Sequence, residues 1–232
     1  MRIGIISAMD VEHKQLIGLL ENKIEKTDKG FHFTEGKIGE NTFILTQCGI
    51  GKVNAAIGAT ELIRACEPDC IISTGVAGGI DTCLKVMDVV VSSRIVYHDV
   101  WCGDGNAYGQ IQGLPLYFEG NETLLKHATR LEQQITNIHD GLICSGDKFI
   151  TDRKELDTIK AEFPEGLAVD MESGAIAHVC HVFNVPFISF RIISDTPGTE
   201  NHFDQYLNFW GEMADRSFKV THAFLSSLPN RI

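Results

Sequence analysis

Arg2-Ile3-Gly4-Ile5-Ile6-Ser7 is a short apolar run, and Asp10 to Leu20 follows it directly. The first segment reads as a buried strand and the second as a helix. Working outward, the same alternation runs to the far end of the chain, with no low-complexity linker or internal repeat to divide it. Phe31 to Lys37 and Thr42 to Gln47 read as a hairpin around Gly39-Glu40-Asn41, which adds an antiparallel pair to an otherwise parallel sheet. Gly49-Ile50-Gly51 opens a helix to about Ala65, and Cys70 to Thr74 and Asp88 to Ser92 are strands. A helix from Glu122 to Gln134, a strand from Leu142 to Ser145 and a helix from Arg153 to Glu162 come next. Leu167 to Asp170 is a short strand leading into the helix Met171 to Phe183, and Phe187 to Ile193 is the last strand. The closing helix, Asp204 to Leu225, carries a core-facing stripe of Tyr206, Trp210, Met213, Ser217, Val220 and Phe224. Glu21 to Lys29, rich in both charges, reads as a solvated helix end and loop. Strands alternating with helices predict an α/β fold: a single domain over residues 1–232, in three α/β/α layers with a central mixed β-sheet.

Bulk properties narrow the function. A chain of 232 residues that is 44% hydrophobic can build a full core of its own. A net charge of -11 argues against nucleic acid and anionic membrane as partners, because both need a positive face. The apolar run at the N-terminus is broken by Asp10 and Glu12, too early for a signal peptide or a membrane span, so a cytoplasmic protein is expected. Seven cysteines, an odd number without Cys-x-x-Cys pairing, read as buried reduced thiols.

In open α/β sheets ligands bind beyond the carboxyl ends of strands. Glu12, Glu172 and Asp195 each stand just after such a strand, and together they make a candidate site if they reach one crest of the sheet. Taken singly, each has a plainer explanation in helix dipoles or turn initiation. Thr74-Gly75-Val76-Ala77-Gly78-Gly79 and Cys48-Gly49-Ile50-Gly51-Lys52 read as glycine-rich turns that offer bare backbone to a ligand. Neither has phosphate-loop spacing, and the dinucleotide fingerprint fails where Asn54 stands in place of a third glycine. His178 and His181 lack further ligands at zinc spacing, so neither metal nor cofactor is expected.

The same motifs resemble the 5'-methylthioadenosine/S-adenosylhomocysteine nucleosidases of the purine nucleoside phosphorylase type I superfamily. The resemblance runs nearly end to end, through Ile3 to Met9 with Glu12, Gly49 to Val53, Ser73 to Gly79, Ser145-Gly146-Asp147 with Phe149-Ile150, Val169 to Glu172 and Arg191 to Asp195. It implies a nucleoside phosphorylase-like fold, a homodimer and an adenine nucleoside as the small-molecule partner. It also implies hydrolysis of the N-glycosidic bond, which passes through a ribose of oxocarbenium character. By resemblance Asp195, beside Ser194, would be the acid that protonates adenine N7, Glu12 the base for water and Glu172 the acceptor of the ribose hydroxyls. Arg191 would orient Glu172 or the water. Phe149 would stack on adenine, the Ile150 backbone would read its edge, and Met9, Ile50, Met171 and Phe203 would line an apolar slot for the 5' group. Val76, Ala77, Gly78 and Asp170 complete the expected binding residues.

Departures from the family pattern are Val76 where Ser or Thr is frequent, Asp170 where Glu is frequent, an unusual stretch from Asp99 to Asn106 and a short turn from Thr196 to Asn201. A phosphorylase, an aminofutalosine hydrolase and a non-catalytic nucleoside-binding protein are the competing readings. Phosphorylases of the superfamily carry an arginine just before the glycine-rich turn, where this chain has Ser73-Thr74.

Overall fold

The computed structural model describes residues 1–131, 136–196, 202–210 and 214–232. Ten strands form one mixed sheet: β1 (Arg2–Ser7), β2 (Glu21–Asp28), β3 (Phe31–Ile38), β4 (Asn41–Gln47), β5 (Cys70–Gly79), β6 (Val89–Tyr97), β7 (Phe118–Glu119), β8 (Ile138–Ser145), β9 (Gly166–Asp170) and β10 (Phe187–Asp195). The helices are α1 (Asp10–Leu19), α2 (Lys52–Cys66), α3 (Glu122–Thr129), α4 (Arg153–Glu162), α5 (Ser173–Phe183), α6 (His202–Asn208) and α7 (Ala214–Ser227).

Parallel β1 joins β4 on one side and β5 on the other, and β10 runs parallel to β5. The antiparallel pair β3–β4 is the hairpin read from Gly39-Glu40-Asn41. Beyond β5 the sheet curls: β5 pairs β10, β10 pairs β6, β6 pairs β8, β8 pairs β9, and β9 returns antiparallel to β5. Five strands thus close a ring, which removes their free edges. Helices α1, α3 and α7 cover one face, with Leu16, Leu124 and Val220 in the same core as Ile3, Ile5 and Phe190. Helices α2 and α5 cover the other, where Leu62 and Ile176 pack with Ile6, Ile71 and Ile143. Phe190 of β10 stacks on Phe224 of α7 with ring centroids 4.4 Å apart.

Three local expectations are corrected. Glu21 to Lys29 is not a helix end and loop: Glu21–Asp28 is the edge strand β2, paired only with β3. Its residues are nearly all exposed, so it has no apolar alternation to mark it, and its charges suit an edge that must not recruit another strand. The stretch Thr74–Gly79 is not a turn but the second half of β5, where its last two glycines switch partner to β9. Of the expected closing helix, α6 and α7 are described; 211–213 and the side chain of Ser217 lie outside the described residues, as do 132–134 of the expected Glu122–Gln134 helix, which as described ends at Thr129, and 197–201 of the expected turn. Of the cysteines, Cys83 and Cys102 are exposed rather than buried, and all seven are free thiols.

Candidate active site

The carboxyl ends of β1, β4, β8, β9 and β10 and the glycine-rich half of β5 open on one cavity of about 660 Å³, its mouth included. Glu12, Glu172, Asp195 and Arg191 all line it, together with Met9, Ile50, Val76, Ala77, Gly78, Phe149, Ile150, Asp170, Met171 and Ser194. Phe203 does not: it is 53% exposed on α6. In its place Tyr206, one turn further along the same helix, faces the cavity.

Glu12 is buried in the first turn of α1. Its Oε2 accepts the Met9 N–H at 3.1 Å and its Oε1 accepts the Val76 N–H at 3.2 Å, so the contribution of Val76 comes from its backbone. Burial pushes the carboxyl pKa up, against the pull of Arg191 and of the Met9, Val76 and Ala8 N–H groups. Gly75 is the reason Glu12 can approach Arg191. A Cβ there would lie 2.6 Å from both Glu12 Oε1 and Arg191 Nη1, so the two charged groups face each other across bare backbone.

Glu172 stands at the N-terminus of α5, where its side chain makes no cap bond to the helix and its Oε1 instead accepts the Gly51 N–H at 3.0 Å. Gly51 sits at φ +93, a left-handed conformation that favours glycine and turns its N–H toward the carboxylate. The Gly51 turn is itself pinned: Asp147 Oδ1 accepts the Lys52 N–H at 2.7 Å, and Lys52 Nζ donates to both oxygens of Asp99 at 2.9 and 2.8 Å. Burial pushes the pKa of Glu172 up to about 7, with Arg191 pulling it down and Asp170 adding to the rise.

Arg191 is almost wholly buried at the centre of β10, where an unpaired charge would be strongly destabilising. Its direct salt bridge is to Asp170, Nε to Oδ2 at 2.9 Å, not to Glu172. Three buried hydroxyls complete its cradle. Nη2 donates to Ser73 Oγ at 2.7 Å and to Ser173 Oγ at 3.1 Å, while Nε reaches Ser189 Oγ at 3.1 Å. Asp170 also accepts the Ser173 N–H at 3.2 Å and the Ser173 hydroxyl, so one carboxylate caps α5 and neutralises Arg191.

Asp195 ends β10 after a bulge at Ser194, an irregularity that re-aims a side chain. Ser194 Oγ donates to Asp195 Oδ1 at 2.7 Å, and both residues are buried. Phe149, 43% exposed at the mouth, meets the Tyr206 ring edge-on at 5.4 Å. Among the described residues no cluster of His, Cys, Asp and Glu could hold a metal ion. His178 instead hydrogen-bonds Tyr97 and stacks on Phe118.

Sequence reasoning missed Tyr206 and the serine cradle. Tyr206 belongs to the apolar stripe of the closing helix, which gave no reason to set it in a cavity. The Asp170-x-x-Ser173 spacing at a helix start was the available signal for the cap, but nothing local points from it to Arg191.

Chemically, the cavity offers a buried acid at one end, two carboxylates of raised pKa flanking one cation at its centre, and an apolar wall on the remaining side. It suits a neutral ligand that develops positive charge while one of its atoms takes up a proton. The family model of the phosphorylase superfamily matches residues 2–226. The 5'-methylthioadenosine/S-adenosylhomocysteine nucleosidase of Actinobacillus succinogenes is 44% identical over 211 residues, which cover 89% of this chain and 92% of that one. An S-adenosylhomocysteine nucleosidase of Streptococcus pyogenes, solved with 5-methylthiotubericidin, superposes with a TM-score of 0.92 at 35% identity, covering 99% of this chain and 98% of that one. A nucleosidase of the same kind from Colwellia psychrerythraea, solved in complex with adenine, gives 0.91 at 34% identity over 100% and 97% of the two chains.

Proposed function

The chain belongs to the phosphorylase superfamily, and from that premise we propose that it hydrolyses the N-glycosidic bond of 5'-methylthioadenosine and S-adenosylhomocysteine, releasing adenine and a thioribose. In this reading adenine lies between Phe149 and the Ile150 backbone, with N7 at Asp195. Asp195 donates its proton to N7 as the glycosidic bond lengthens, which turns adenine into a neutral leaving group. Glu172 accepts the ribose hydroxyls and, with Glu12, answers the positive charge that grows on the sugar. Glu12 takes a proton from the water that attacks the anomeric carbon. Arg191, held by Asp170 and the serine hydroxyls, keeps two buried carboxylates close enough to act together.

One observation favours water over phosphate as the nucleophile. The cations on the described wall are Arg191, whose charge is answered by Asp170, Glu172 and Glu12, and Lys148, which pairs with Glu155 at the mouth. A phosphate dianion would have to be desolvated there without a cation of its own. The test is base release from methylthioadenosine, adenosylhomocysteine, aminofutalosine and inosine. Free adenine is expected from the first two at rates well above the others. Faster cleavage of aminofutalosine or inosine would reassign the substrate.

The homodimer belongs to the same proposal. Val53 and Ile57 of α2 and Val182 and Phe183 of α5 are exposed on adjoining helices, and Trp101 is 57% exposed in the loop that Lys52 anchors through Asp99. An apolar surface of this kind suits burial against a second copy. Light scattering is expected to give about twice the 25.6 kDa chain mass, and a monomer at assay concentration would refute the dimer. No described helix is long and apolar enough to cross a membrane, and we place the enzyme in the cytoplasm on its composition.

A further inference from the structure

Among the described residues, Tyr206 is a polar intrusion in an apolar stretch of the cavity wall formed by Met9, Ile50 and Met171. Asp195, Phe149 and Ile150 take one end of the cavity and Glu12, Arg191 and Glu172 its centre, which leaves Met9, Ile50, Met171 and Tyr206 around whatever hangs from ribose C5'. The Tyr206 hydroxyl donates to Met9 Sδ at 3.7 Å, and a thioether is a weak acceptor. The ring is held in this direction by edge-on contacts with Phe149 at 5.4 Å and Trp210 at 6.3 Å. Burial pushes the phenol pKa up, so the hydroxyl keeps its proton.

The geometry points to Tyr206 as a specificity-determining residue whose hydroxyl donates to an oxygen on C5', so that this site also takes adenine nucleosides with a 5'-oxygen, adenosine being the simplest. The inference rests on the nucleosidase reading above. Trp210 donates to the phenol oxygen, which leaves the hydroxyl's own proton to a weak sulfur acceptor; a 5'-thioether would offer only another sulfur, whereas a 5'-oxygen would be a full-strength acceptor. The phenylalanine expected in this slot, Phe203, has no such group and is turned to solvent.

The experiment compares kcat/KM for methylthioadenosine, adenosine and 5'-deoxyadenosine in the wild type and in Tyr206→Phe. Adenosine and 5'-deoxyadenosine differ by the one oxygen, so their ratio isolates it. The wild type is expected to cleave all three, and Tyr206→Phe to lower the adenosine to 5'-deoxyadenosine ratio about three- to tenfold, the range of one neutral hydrogen bond. Any change on methylthioadenosine should match that on 5'-deoxyadenosine, since neither carries the 5'-oxygen, and the thermal midpoint should be unchanged. An unchanged ratio, an equal loss on all three substrates, or a wild type that cleaves methylthioadenosine but not adenosine would overturn the inference while leaving the nucleosidase reading intact. A wild type that cleaves none of them would overturn both.

Discussion

Asp195→Asn is expected to reduce kcat for methylthioadenosine by about two to four orders of magnitude, the range for a removed general acid. Asparagine is close to isosteric, and its amide oxygen can still accept from Ser194 Oγ, so the buried end of β10 keeps its packing. What it loses is a proton acidic enough to follow the electrons onto the base. Circular dichroism and the thermal midpoint should match the wild type, and the loss should fall on kcat far more than on KM. An Asn variant that retained a tenth or more of the wild-type rate would move the acid to another group.

Glu12→Gln should cost a similar factor, about two to four orders of magnitude, for a different reason. Glutamine can accept the Met9 and Val76 N–H groups through one oxygen only, and it cannot take a proton from water. It also removes one of the carboxylates that answer Arg191. The wild-type pH profile bears on the same residues. Burial raises the pKa of Glu12 and holds Glu172 at about 7, so both gain protons as the pH falls. The mechanism needs both ionised. Log kcat/KM should therefore decline with falling pH below about 7, and it should fall again on the alkaline side where Asp195 loses the proton it donates. A profile flat down to pH 5 would show that neither carboxylate has to be charged.

How much of this was legible in the sequence depends on how local each feature is. Arg2–Ser7 and Phe187–Asp195 are rich in apolar residues because their strands are covered on both faces, and such runs announce themselves. The strand Glu21–Asp28 has neither face buried, so it left no periodic trace. The glycines at 75, 78 and 79 read as a turn because glycine marks turns far more often than a strand that must pass close to charged side chains. The need for Gly75 exists only once Arg191 of β10 and Glu12 of α1 have been brought to it by tertiary structure. Closure of the five-strand ring was likewise out of reach, since it depends on which strands pair and not on what any one of them contains.

The site divides along the same line. Glu12, Glu172 and Asp195 stand at strand ends, a position that is informative by itself, and their placement on one cavity is a consequence of strand order. The guanidinium of Arg191 was expected near Glu172, yet its direct salt bridge is to Asp170. A shorter carboxylate at position 170 works there because Ser173, one helical turn on, supplies hydroxyl contacts to both the carboxylate and the guanidinium. No spacing rule links Ser73, Ser173 and Ser189, which come from β5, α5 and β10. Tyr206 was hidden differently: its place in an apolar helical stripe is what a core residue would show, and the hydroxyl's aim at Met9 is visible only in three dimensions.

The central claim is that water, not phosphate, attacks the anomeric carbon, and the identity of the sugar product tests it most directly. Methylthioadenosine would be turned over across a phosphate titration and the product identified by mass spectrometry. With Arg191 already answered by three carboxylates and Lys148 paired at the mouth, the account predicts free methylthioribose at every phosphate concentration and a rate that phosphate does not raise. Methylthioribose-1-phosphate as the main product, increasing with phosphate, would contradict it and would leave Glu12 without water to activate.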